Sequence, residues 1–127
     1  MLYKGSCHCG SVKFEIKSDL TNIKQCNCSI CVRKYAKMAM ATKNQLTIIQ
    51  GKENLSLYQF GTNVAKHYFC KICGIYTHHG RKSDPNGIGF NIGCLDNIDP
   101  FEFNSDVLDK RVRTIKKALE LISDGIL

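Results

Sequence analysis

The stretch Phe69-Cys70-Lys71-Ile72-Cys73-Gly74 places two cysteines three residues apart and follows them with a glycine. The segments on either side, 66–69 and 75–79, have the composition of short strands. A Cys-x-x-Cys-Gly turn between two strands is typical of a zinc knuckle, because the glycine lets the backbone turn its amide groups toward the sulfurs. The stretch therefore predicts two thiolate ligands of a structural metal site, which needs four.

The other two ligands are predicted at Cys7 and Cys9, a second cysteine pair that is also followed by a glycine. A zinc ion shared with Cys70 and Cys73 would tie the N-terminal strand to the middle of the sheet. Such a staple suits a chain of 127 residues without tryptophan, whose apolar core is modest. A thioredoxin-like redox pair would need a βαβ setting, which the sequence lacks.

A third group, Cys26-Asn27-Cys28-Ser29-Ile30-Cys31, offers three thiolates on one loop. Three protein ligands and one exchangeable position are the usual arrangement of a catalytic zinc, and such a site loses its metal more readily than a closed one. We predict that Ser29 caps a short helix reaching to about residue 37 and that the site is open. The alternative is a closed site, with Cys94, His67, His78 or His79 as fourth ligand.

The remaining candidate ligands have simpler interpretations. Cys94 is expected to be a buried, small apolar residue. His78 and His79 are adjacent in a predicted strand and are expected to point to opposite faces, so that at most one of them can face a given site. His8 lies between two predicted ligands and is expected to point away from their metal.

The rest of the chain predicts a mainly β protein, a single domain over residues 1–127 with its motifs in residues 5–96. Val12, Phe14 and Ile16 alternate with charged residues, as in a half-buried strand. Helical spacing of apolar residues predicts an amphipathic C-terminal helix over about 112–124. Further strands are predicted at 38–42, 46–50, 55–60, 66–69, 75–79 and 88–93.

Sequence features, cysteine content and charge indicate where the protein is located and which partners are expected. The N-terminus lacks the apolar segment of a signal peptide, and no apolar run approaches the length of a membrane span. A cytoplasmic location is therefore expected, where the eight cysteines stay reduced. The formal net charge of +7 falls to about +4 if seven thiolates hold two zinc ions. A solvated lysine-rich surface accounts for this excess, and nucleic acid is not an expected partner.

These motifs together resemble the glutathione-dependent formaldehyde-activating enzyme family, whose domain also occurs in centromere protein V. The resemblance runs from Gly5 to Asp96 through four elements of intact spacing. They are Gly5-Ser6-Cys7-His8-Cys9-Gly10, Cys26-x-Cys28-x-x-Cys31, Phe69-Cys70-x-x-Cys73-Gly74 and Asn91-x-x-Cys94-Leu95-Asp96.

The resemblance implies a small antiparallel, tent-like zinc-knuckle fold. It implies a structural zinc on Cys7, Cys9, Cys70 and Cys73, and a catalytic zinc on Cys26, Cys28 and Cys31. The reaction implied is that of a carbon–sulfur lyase acting on a small thiol–aldehyde adduct such as S-(hydroxymethyl)glutathione, with glutathione as a candidate thiol. The sequence reveals no separate general base.

Two other functions fit the same residues. The chain would be a non-catalytic zinc-binding module if its basic surface contacted protein or nucleic acid. It would be a zinc store or sensor if the three-cysteine site exchanged its ion easily.

Overall fold

The computed structural model describes residues 1–109, which contain ten strands and one short α-helix. The helix α1 is Cys31–Lys34. The strands are β1 (Leu2–Ser6), β2 (Lys13–Lys17), β3 (Lys24–Cys26), β4 (Met38–Thr42), β5 (Leu46–Gln50), β6 (Leu55–Tyr58), β7 (Lys66–Cys70), β8 (Tyr76–Gly80), β9 (Gly87–Asn91) and β10 (Asp106–Leu108). The prediction of a mainly β fold is confirmed.

The smaller sheet has three strands in the order β1-β2-β5, all antiparallel. Its central strand carries the alternation seen in the sequence. Phe14 and Ile16 are buried, whereas Lys13 and Lys17 are exposed. One face of this sheet therefore packs on the core, and the other faces solvent.

The larger sheet has seven strands in the order β10-β3-β4-β9-β8-β7-β6. Adjacent strands of this sheet pair antiparallel except at one edge, where β10 runs parallel to β3. The strand β9 is buried from Gly87 to Phe90, as expected for a central strand covered on both sides.

The core lies where the two sheets meet. Phe14 and Ile16 of the smaller sheet belong to one apolar cluster with Ala39 and Phe90 of the larger sheet. An isolated bridge between Gly5 and Leu95 also links β1 to the chain after β9. Burial of this cluster is the main apolar contribution to stability, and it fixes the strands that carry the cysteines.

The strands predicted at 38–42 and 46–50 are confirmed, and those predicted near 55, 66, 75 and 88 begin within a residue of their places in the structure. The strands β1, β3 and β10 were not predicted. The predicted C-terminal helix over about 112–124 lies outside the described residues.

The helix predicted from Ser29 to about residue 37 is shorter than expected. It ends at Lys34 because Tyr35 adopts a left-handed conformation, with φ of 51°, and its N–H bonds the carbonyl of Cys31. Its predicted cap is wrong, since Ile30 occupies the N-cap position and no side chain caps the helix. Ser29 instead accepts a hydrogen bond through its carbonyl from Nη1 of Arg33, at 2.6 Å.

Over residues 1–109, the structure contains no helix that combines the length and the apolar character needed to cross a membrane.

Replacement of Phe90 by alanine should destabilise the fold by about 3–5 kcal/mol, because the ring is fully buried and its removal leaves a cavity. Phe101 is 90% exposed, and Phe101→Ala is the matched control. It should change the free energy of unfolding by no more than about 0.5 kcal/mol. Denaturant unfolding of both variants tests this, and equal losses would show that the two-sheet core is wrongly placed.

Candidate metal centres and the adjoining cavity

Four cysteines from two distant parts of the chain converge at one point. Cys7 and Cys9 lie in the loop after β1, whereas Cys70 ends β7 and Cys73 follows in the turn to β8. The four sulfurs of this four-cysteine cluster all lie within 4.8 Å of one another. Sγ of Cys9 is 3.7 Å from Sγ of Cys7 and 3.8 Å from Sγ of Cys70. In a tetrahedral zinc site with zinc–sulfur distances of about 2.3 Å, the sulfurs lie about 3.8 Å apart, so the donor set fits zinc.

The local backbone explains this convergence. Gly10 and Gly74 follow the two cysteine pairs with φ of +78° and +77°, a conformation that glycine adopts without steric cost. Both turns direct amide groups at sulfur. The N–H of Val12 donates to Sγ of Cys7 at 3.3 Å, and that of Ile72 donates to Sγ of Cys70 at 3.4 Å. The turn predicted at Gly74 is confirmed, and Gly10 makes the same kind of turn.

Ser11 is a further contact of this cluster that the sequence analysis did not identify. Its hydroxyl lies 3.1 Å from Sγ of Cys9 and 3.2 Å from Sγ of Cys70. Burial alone would raise the pKa of Cys70, but hydrogen bonds from Ser11 and from backbone amides lower it to about 6. The cluster therefore favours thiolate at this position.

Cys26, Cys28 and Cys31 form a second group, the three-cysteine cluster, at the end of β3 and the start of α1. Their sulfurs also lie within 4.8 Å of one another. A hydrogen bond from the Cys31 thiol lowers the pKa of Cys28 to about 5. The same hydrogen bond, together with burial, raises the pKa of Cys31 well above its ordinary value. Burial likewise raises the pKa of Cys26. Three adjacent sulfurs thus hold a thiolate even without a cation, and a metal ion would favour ionisation of the other two.

Within residues 1–109, no histidine, carboxylate or further cysteine joins the three-cysteine cluster as a fourth ligand. Cys94 is buried, as predicted, and its thiol lies 3.6 Å from the carbonyl of Tyr76. His78 bonds the hydroxyl of Thr77 at 2.9 Å. His67 and His79 have the partners described below. The described residues therefore offer three sulfur ligands at this cluster and no fourth.

Lys34 also lies beside this cluster, and its contacts could not be predicted from the sequence. It lies three positions after Cys31 on α1, a spacing that puts two side chains on the same side of a helix. Its Nζ lies 2.8 Å from Nδ1 of His67 and 3.8 Å from the centre of the Tyr76 ring. Burial lowers the pKa of Lys34 to about 8, whereas the nearby charges of Cys31, Cys28 and Cys26 act to raise it.

A β-bulge brings Tyr76 to this side of the sheet. Tyr68 pairs with His78 and Phe69 pairs with Tyr76, so Thr77 is the extra residue in β8. Because one residue is inserted, Tyr76 and His79 lie on the same face, and their side chains bond at 2.6 Å between the hydroxyl and Nδ1. The alternation that separates His78 from His79 is kept, as predicted, but no sequence signal announced the bulge.

Gly89 makes room for His79. The two residues pair across β8 and β9, and a Cβ atom at position 89 would overlap the imidazole ring of His79. His79 in turn stacks on His67, with ring centroids 5.8 Å apart. The absent side chain at position 89 is therefore what allows the His67–His79 stack to lie beneath Lys34.

A cavity of about 290 Å³ opens beside these groups. Its walls are largely aromatic, and its charged lining residues, Arg33 and Lys34, are both cations. They lie on α1, on the helix that begins with Cys31. The other lining residues are Ile30, Tyr58, His67, Tyr68, Phe69, Gly74 and Tyr76. The cavity therefore suits a small, anionic, partly apolar molecule.

Comparisons with known proteins agree with this geometry. A profile of the family described as glutathione-dependent formaldehyde-activating enzyme matches residues 2–110. The chain belongs to the glutathione-dependent formaldehyde-activating enzyme family. The match spans all seven clustered cysteines, and the family resemblance noted in the sequence is confirmed.

Two similar proteins illustrate the match. A Halomonas elongata protein named for glutathione-dependent formaldehyde activation is 34% identical over 83 residues. That match covers 58% of this chain and 52% of the relative, so the chain spans about half the length of that relative. A crystal structure of a Rhodobacter sphaeroides protein superposes with a TM-score of 0.79 at 43% identity, covering 82% of this chain and 97% of the other.

The three buried histidines should remain neutral well below the pH at which histidine ordinarily titrates. Burial and the charge of Lys34 lower the pKa of His67 and His78 to about 4 and that of His79 to about 3. The unfolded chain, with histidine pKa values near 6.5, therefore binds more protons as the pH falls from about 6.5 to about 4, and the fold loses stability over that window.

Long-range proton–nitrogen NMR spectra of the imidazoles, recorded from pH 7 to pH 5, test this expectation. Neutral rings should persist at His67, His78 and His79 over that range. A ring that becomes doubly protonated near pH 6.5 would show that it is not enclosed in the folded protein as described.

Proposed function

We propose that the chain holds two zinc ions, a structural one on the four-cysteine cluster and a catalytic one on the three-cysteine cluster. The sulfur separations of 3.7–3.8 Å support the first assignment. The second is supported by three clustered sulfurs that lack a fourth protein ligand within residues 1–109. The structural ion would join the β1–β2 loop to the β7–β8 turn, and through them the two sheets.

On this basis the protein is a zinc-dependent carbon–sulfur lyase that forms or cleaves a small thiol–aldehyde adduct of the S-(hydroxymethyl)glutathione kind. The observation that carries this proposal is the open three-cysteine cluster beside a cationic cavity. Family membership supports the same chemistry. The chain acts as a single domain in the cytoplasm, a setting that matches its eight free cysteines.

The chemistry needs an activated thiol and a polarised aldehyde. Zinc held by Cys26, Cys28 and Cys31 would supply a Lewis acid with one exchangeable position. The three thiolates leave the occupied centre with one net negative charge, which the ammonium of Lys34 offsets. Aromatic side chains form much of the cavity wall, and the exposed cation Arg33 attracts an anionic thiol such as glutathione.

Zinc content should separate the two sites. Elemental analysis should find two zinc ions per chain in the wild type and one in Cys28→Ser, because loss of one of three ligands weakens the open site far more than it affects the closed one. Cys94→Ala is the matched control, and it should retain two ions because its thiol belongs to neither cluster. A single zinc in the wild type, unchanged in Cys28→Ser, would contradict the second site.

Catalysis should be visible as exchange between free formaldehyde and its thiol adduct. Two-dimensional exchange NMR with glutathione, cysteine and coenzyme A measures the rate with and without protein. We expect acceleration over the spontaneous reaction with at least one thiol, and its loss by about 100-fold or more in Cys28→Ser. If the wild-type protein accelerates the reaction with none of these thiols, the lyase proposal is refuted and a non-catalytic zinc module is favoured.

A further inference from the structure

Lys34 has an unusual set of neighbours for a partly buried ammonium group. Its contacts among the described residues are the neutral His67 and the face of the Tyr76 ring, and neither carries a compensating negative charge. The charges that act on it come from the three-cysteine cluster. A buried cation without a carboxylate partner is costly, and such groups are common where charge develops during a reaction.

The contacts of Lys34 hold its ammonium in one orientation. An ammonium group has three N–H donors and no acceptor, so Nδ1 of His67 must accept and Nε2 of His67 must carry the proton. His67 is itself fixed by stacking between Phe60 and His79, at centroid distances of 5.8 Å each. One N–H of Lys34 is directed to His67 and one side of the ammonium faces Tyr76, which leaves donor capacity toward the cavity.

The backbone carbonyl of Tyr76 is contacted by two side chains from the segment that follows β8. The side-chain amide of Asn91 donates to the carbonyl of Tyr76 at 2.9 Å, and the thiol of Cys94 approaches the same carbonyl at 3.6 Å. These contacts give the Asn91-x-x-Cys94 element of the sequence a physical role, because they hold the bulged strand that supports Lys34.

We propose that Lys34 is a catalytic residue of the lyase reaction, in which its ammonium donates a hydrogen bond to the aldehyde oxygen as that oxygen becomes the hydroxyl oxygen of the adduct. The assignment rests on the lyase function proposed above. Arg33 is the other cation of the cavity, but it is exposed and its guanidinium bonds the carbonyl of Ser29. Lys34, in contrast, lies three positions after Cys31 on α1, and its ammonium interacts with the charges of all three cysteines. It is therefore the cation that we assign to the reacting oxygen.

The step balances without a further reactant. In the direction of synthesis, the thiolate sulfur of the substrate bonds to the carbonyl carbon, and the π electrons of the carbonyl move to its oxygen. Lys34 stabilises the negative charge that develops there, and the oxygen takes a proton from solvent to give the hydroxyl. In the direction of cleavage, the hydroxyl proton leaves to solvent, the carbonyl reforms and the thiolate departs. Stabilisation of a developing oxyanion by one donor contributes about 100- to 1,000-fold in rate.

The test compares Lys34→Met, which keeps an apolar chain of similar length, with Lys34→Arg, which keeps the charge. Lys17→Met is the matched control, because Lys17 is exposed at the end of β2 in the other sheet. For each protein the exchange rate at saturating thiol, KM, zinc content and thermal unfolding are measured. The affinity for glutathione alone, measured by calorimetry, gives a readout that does not depend on turnover.

We expect Lys34→Met to lower kcat by about 100- to 1,000-fold while the Kd for glutathione stays within about twofold and two zinc ions remain bound. Lys34→Arg should recover part of the lost rate, and Lys17→Met should match the wild type. A tenfold or larger rise in Kd with kcat unchanged would overturn the proposal, since it would place Lys34 on a carboxylate of the thiol. Loss of zinc or of the fold in both Lys34 variants would also overturn it, in favour of a structural role.

The two proposals fail in distinguishable ways. A wild-type protein that does not accelerate exchange refutes the lyase function. An active wild type with an equally active Lys34→Met variant refutes the role of Lys34 alone.

Discussion

The convergence of four sulfurs from residues more than 60 positions apart is the constraint on which the rest of the fold depends. One pair extends from the smaller sheet and the other from the larger sheet. Four thiolates this close repel one another, and a bound cation would offset that repulsion. A small apolar cluster of Val12 with Cys7 and Cys70 packs behind these sulfurs. The four-cysteine cluster and the second core are therefore one structural unit, which joins the two sheets.

That unit also positions the reactive side of the molecule. The strand that ends at Cys70 carries His67, and the strand that follows Cys73 begins at Tyr76. Both residues contact Lys34, which belongs to the helix that starts at Cys31. The Cys70–Cys73 turn thus joins the two strands, β7 and β8, that carry these two residues of the cavity wall. In this chain, the four-cysteine cluster and the three-cysteine cluster are connected through a few residues of two adjacent strands.

Much of the fold follows from local sequence, and the missing parts have physical explanations. The alternating strands and the two cysteine–glycine turns were predictable because spacing and glycine conformation are local properties. The strands β1, β3 and β10 were missed because they are short, polar or irregular in pattern and are stabilised by pairing with distant partners. All seven cysteines of the two clusters were identifiable from their spacing. The contacts of Lys34 and Tyr76 were not predictable, because they depend on a bulge at Thr77 and on a helix that stops after four residues.

The parallel pairing of β10 with β3 connects the three-cysteine cluster to a distant part of the chain. Leu108 pairs with Cys26, and the carbonyl of Leu108 accepts a hydrogen bond from the N–H of Asn27 at 3.2 Å. Residues 106–108 are thus attached to the loop that carries the three sulfurs. By thermodynamic linkage, any ion or substrate that holds this loop in its present shape strengthens the attachment of β10, and docking of β10 raises the affinity of the loop by the same factor. Docking of this edge strand is therefore thermodynamically coupled to the binding of any such ion or substrate at the three-cysteine cluster.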